Sequence, residues 1–95
     1  MNNTDLLIYR NELKNRKIAK YKIIGILSDI ILSLDFTELK EFISKITNVK
    51  CYSSVDTNET VLLRIIDYIL HDKIIINKKE LTVFINNYIN KTENK

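Results

Sequence analysis

The sequence predicts an all-α fold, drawn as an antiparallel up-down bundle of four helices. Three observations predict it. The chain has no proline and a single glycine, Gly25, so helix interiors are nearly free of breakers and a β-protein would lack its turn glycines. Apolar residues recur at offsets of three, four and seven in four separate stretches. Three of those stretches follow an Asp or Asn placed three residues before a Glu, the pattern of a capping box. Ninety-five residues make one domain with one core that needs no covalent staple.

The first helix is expected over about 5–34. Its stripe is Ile23, Ile24, Leu27, Ile30, Ile31 and Leu34. It begins either near Ile18, or near Thr4 with an irregular patch around Asn15 where it is open to a break. Gly25 costs about 1 kcal/mol against Ala inside a helix, and a close approach by a neighbouring helix is the expected reason for it.

The next three helices are expected over 36–47, 57–72 and 78–91. Their caps are Asp35 before Glu38, Asp56 before Glu59, and Asn77 before Glu80. The second helix buries Phe36, Leu39, Phe42, Ile43 and Ile46. The third buries Leu62, Ile65, Ile66, Ile69 and Leu70, and the fourth Leu81, Phe84, Ile85, Tyr88 and Ile89. Truncating Ile66 or Phe84 to Ala as core residues is expected to cost about 2–5 kcal/mol. The 48–56 link is the longest. Lys73–Ile76, β-branched and apolar, reads as a short extended segment tucked over the core. Short links make neighbouring helices antiparallel.

Composition narrows the function. One cysteine, Cys51, permits no internal disulfide, which suits a reducing compartment. The N-terminal residues lack a signal-peptide pattern. The longest apolar stretch, 23–34, falls short of the ~20 residues that cross a bilayer. The expected location is the cytoplasm, with peripheral contact at the inner face of the membrane open to it.

Catalytic equipment is sparse. One His and one Cys twenty residues apart do not make a metal site, and one glycine cannot build a phosphate-cradling loop. No catalytic, cofactor or metal residue is assigned, and the chain reads as a non-enzyme. His71 follows Asp67 by four residues near a helix C-terminus, where the dipole and the acid both favour it.

The net charge of +3 is uneven. Residues 1–22 hold Arg10, Lys14, Arg16, Lys17, Lys20 and Lys22 against Asp5 and Glu12. Such a basic patch meets phosphates, acidic headgroups or an acidic protein. Nucleic acid is therefore the alternative partner, through a helix-turn-helix-like use of the middle of the chain. Against it, the link is about nine residues long where three or four are wanted. The outward face of the third helix offers only Thr60, Arg64, Asp67 and His71, a poor reading surface.

The run from Glu59 to Leu81 contains a Leu62-x-Arg64 helix, a Lys73-Ile74 link and the polar start Asn77–Glu80. With the basic Arg16-Lys17, a helix ending near Leu34 and the stretch Phe36–Ile46, it resembles the immunity proteins of class IIa (pediocin-like) bacteriocins over roughly 16–90. That resemblance implies an antiparallel four-helix bundle without cofactor. It also implies self-protection of a producer cell by engaging bacteriocin-bound membrane subunits of the mannose phosphotransferase system. Specificity in that family lies in the C-terminal half. Here that points to the outward face of the last helix, expected as Lys79, Thr82, Val83, Asn86 and Asn90, and to the tail with Lys91 and Lys95. The tail is shorter than in the family.

Overall fold

The computed structural model describes residues 1–93 and contains five helices, not four. They are α1 (Asn3–Glu12), α2 (Lys20–Ser33), α3 (Phe36–Ile46), α4 (Asn58–Leu70) and α5 (Lys78–Glu93). The all-α class stands, and the four-helix bundle is corrected.

The extra helix arises because the predicted first helix is cut at its irregular patch. Continued helix through 13–19 would stack Lys14 on Lys17 and Arg16 on Lys20, and like charges three or four apart repel. Asn15 takes the local alternative, its Oδ1 accepting the Lys17 N–H at 3.0 Å. The chain then reverses. Tyr9 donates to Asp29 Oδ2 at 2.9 Å and Lys22 pairs with Glu12 at 3.6 Å, laying α1 back along α2.

Polar ties fix the other neighbours. Lys20 meets Asp72 at 2.9 Å, while Asn58 donates to the carbonyls of Ile31 and Leu34 at 2.8 and 2.7 Å. α2 and α4 are therefore antiparallel. Arg10 donates to Asn86 Oδ1 at 2.9 Å, and Lys78 to the Asn15 carbonyl at 3.4 Å, so α1 and α5 are antiparallel as well. α3 lies against α5 with Phe42 and Phe84 in edge contact, centroids 4.8 Å apart.

Between these helices lies an aliphatic core. Leu6, Leu27, Ile30, Ile31, Leu39, Val61, Ile65, Leu81 and Ile85 are fully buried. Among the described residues no polar or charged residue is buried as a whole, and no buried side-chain polar atom lacks a partner. The stripe on α4 is rotated from its expected position. Val61 joins the core, Ile66 is only half-buried and Leu70 faces solvent. On α5, Phe84 and Tyr88 are half-buried while Leu81, Ile85 and Ile89 form the seam.

The caps explain where helices start. Asp35 and Glu38 close a full capping box on α3, and Asn77 Oδ1 accepts the Glu80 N–H at 3.1 Å. On α4 the expected box is displaced by one residue. Thr57 is the N-cap and Thr60 its partner, because the Asp56 carboxylate is held by Arg64 in a two-pronged pair at 2.8 and 3.0 Å. α4 ends in a Schellman turn. Asp72 takes a left-handed φ of 55°, the Lys73 N–H reaches the Tyr68 carbonyl and the Asp72 N–H that of Ile69. A short polar side chain tolerates that region better than most.

The extended segment expected at Lys73–Ile76 does cross the core. Ile76 forms one antiparallel bridge with Thr47, and the Asn77 N–H donates to the Ile46 carbonyl at 2.7 Å. Asn48 clamps it, donating to the Lys73 carbonyl at 3.3 Å and accepting the Ile75 N–H at 2.7 Å. This clamp fixes the C-terminal end of α3 beside the start of α5.

Gly25 is a correction. A Cβ built there meets nothing within 4 Å. The glycine faces solvent and no helix approaches it closely.

Candidate functional site: a groove between α3 and α5

α3 and α5 diverge enough on their outer side to leave an open groove of about 230 Å³. Its floor is the Phe42–Phe84 pair, rings crossing at 66°, with Val83 beside them 44% exposed. Glu38 and Glu41 rise from α3 and Glu80 from α5. Helical spacing aligns these groups: residues three and four apart share a face, so α3 presents 38, 41, 42 and 45 while α5 presents 80, 83, 84 and 87. Lys45, the one cation lining it among the described residues, lies 3.1 Å from Glu41 Oε1.

The predicted C-terminal surface divides. Val83 enters the groove. Thr82 donates back to the Lys78 carbonyl at 2.9 Å, and Asn86 is turned to α1 by Arg10. Lys79, Asn90 and Lys91 are exposed outside the groove. Lys95 lies outside the described residues. The groove's α3 wall was missed by sequence reasoning. The signal available was weak: Glu38, Glu41 and Lys45 recur at three and four, but only the pairing of α3 with α5 makes them a rim.

The predicted basic patch divides too. Arg10 is occupied by Asn86, Lys20 by Asp72 and Lys22 by Glu12. Lys14, Arg16 and Lys17 remain exposed in the turn between α1 and α2. On α4, Arg64 is held by Asp56, donates to the Lys50 carbonyl at 2.7 Å and lies over the Tyr52 ring at 5.7 Å. That leaves no free arginine on the outward face of α4.

The strongest electrostatic perturbation belongs to this Asp56 cluster. Hydrogen bonds from Arg64, then from the Tyr52 N–H, hold the Asp56 carboxyl far below the usual carboxylate range. Its side chain is 3% exposed. Every strong group in the cluster is satisfied by another, so it staples the α3–α4 link and offers no open chemistry. Burial, then Asp56, pushes the half-buried Cys51 thiol up, away from the reactive thiolate. Tyr9 is pushed up to about 12 by burial and its hydrogen bond to Asp29. His71 Nδ1 lies 3.2 Å from the Asp67 carboxylate and 2.8 Å from its carbonyl, on the surface.

Among the described residues, no group of three His, Cys, Asp or Glu is placed to hold a metal ion. No helix there is long and apolar enough to cross a membrane.

No protein-family model, curated protein or solved structure matches this chain. The resemblance to bacteriocin immunity proteins therefore finds no support in these comparisons, and the four-helix architecture it implied is replaced by five helices.

Proposed function

We propose that this chain is a non-catalytic binding protein that engages a protein partner through the groove between α3 and α5. The observation that carries the reading is the floor of that groove, where Val83 is exposed and Phe84 half-buried beside the buried Phe42, set between two helices whose far sides are locked into the core. Aromatic residues in a partly formed recess are the usual anchors of an interface, with polar groups around them fixing register. Arg64 is engaged with Asp56 and half of the N-terminal cations are paired within the chain, which disfavours nucleic acid.

A photo-crosslinking side chain installed at Val83 tests the reading, with the same group at Ser53 in the α3–α4 link as control. The expected result is one protein adduct, identified by mass spectrometry, from Val83 and none from Ser53. Nucleic-acid adducts, or none from Val83, contradict it. Self-protection against a class IIa bacteriocin is a narrower form carried by the sequence resemblance alone. It requires that expression in a sensitive strain raise resistance to one bacteriocin and not others. Unchanged killing across a panel removes that form and leaves the groove reading to the crosslinking result.

A further inference from the structure

We infer that the occupant of the α3–α5 groove is a cationic amphipathic helix, with Lys or Arg flanking a large apolar side chain. This deepens the groove reading and rests on it. Among the described residues the groove carries Glu38, Glu41 and Glu80 against Lys45, and Lys45 is paired with Glu41. Two net negative charges therefore border an apolar floor, in a chain whose overall balance is +3. The local sign opposes the global one. A phosphate backbone or an anionic lipid surface would be repelled there, while a basic segment would be drawn in.

The three acids of α3 and α5 are not equally engaged. Glu38 Oε1 accepts the Asp35 N–H at 3.3 Å as part of the cap. Among the described residues the Glu80 carboxylate makes no hydrogen bond or ion pair, and Glu80 is exposed. It lies on the opposite wall from Glu38 and Glu41, toward the Lys45 end of the groove, so a cation on either edge of an incoming helix finds a carboxylate.

Shape points the same way. The walls are two helices paired antiparallel, the end of α3 beside the start of α5 and Phe42 beside Phe84. From Glu38 to Lys45 the α3 wall runs about 10 Å at ~1.5 Å per residue, matching two turns of a third helix. A helix laid in such a groove presents anchors at i, i+3 or i+4 and i+7. The Phe42–Phe84 floor would take the apolar anchor. The acids would select the sign and speed the encounter more than they would add affinity.

The experiment uses the full chain and two labelled synthetic helices with the same Leu/Phe face, one flanked by Lys and Arg, the other by Glu. Fluorescence anisotropy is read at low and moderate salt. The cationic peptide is expected to bind at least tenfold more tightly than the acidic one. Glu41→Gln with Glu80→Gln should weaken it roughly tenfold and flatten its salt dependence, and Val83→Asn should weaken it without changing that dependence. Equal binding of both peptides, lost in Val83→Asn, overturns the cationic assignment and leaves the groove as a docking site. Binding of neither peptide, or binding indifferent to Val83→Asn, overturns the groove itself. Circular dichroism of each variant confirms that the helices are retained.

Discussion

Replacing Gly25 by Ala should make this protein more stable, and the size of the gain follows from its position. Gly25 sits within α2, the fourteen-residue helix Lys20–Ser33, at a place where its φ is not positive. An added methyl meets no heavy atom within 4 Å. The native state therefore loses nothing, while the unfolded chain loses backbone freedom and the helix gains propensity, together worth about 0.5–1 kcal/mol. For a domain of this length, 1 kcal/mol moves the melting midpoint by about 4–8 °C. The expected rise is thus about 2–8 °C. A thermal melt followed by far-ultraviolet circular dichroism measures it, and urea denaturation should show a higher midpoint at unchanged slope. A midpoint that falls or stays put would refute the reasoning, because it would mean that something packs closely against Gly25.

Core truncation should separate two adjacent isoleucines on α4. Ile65→Ala, at a wholly buried site, is expected to cost about 2–5 kcal/mol in urea unfolding. Ile66→Ala, half-buried, should cost clearly less, and equal losses would contradict the observed rotation of the helix. The Asp56–Arg64 staple gives a pH signature. The folded carboxyl is depressed, so its contribution is full above the ordinary value of about 3.9 and is lost as the pH falls below it toward the depressed folded value. Urea midpoints of the parent chain should therefore drop more steeply in acid than those of Asp56→Asn, and parallel curves would count against the staple.

Local chemistry was the legible part of this fold. The Asp35–Glu38 box and the Leu39–Phe42–Ile43–Ile46 seam involve residues close in sequence, and both appear where expected. The break at Asn15 was visible as an irregular patch, but not the reversal, which depends on Tyr9 finding Asp29 twenty positions away. The sequence pattern makes Asp56 a cap, but Arg64, eight residues on, competes for the same oxygens. Asn86 was assigned to the outer surface because nothing near it in sequence announces Arg10, seventy-six positions earlier. The groove is of the same kind. Its α5 side was partly foreseen at Val83, while Glu38, Glu41 and Phe42 become relevant only once α3 is set against α5.

The placement of α5 bears on how the chain is made. α5 packs on both α1 and α3, yet it follows both in the order of synthesis. About 65 residues separate the end of α1 from the start of α5, which is roughly 3–13 s of translation at ~5–20 residues per second. Through that interval the nascent α1, whose Leu6 is fully buried in the finished fold, lacks the helix it packs against. The core therefore closes only once α5 has emerged, and a growing chain caught earlier is a natural client for a chaperone.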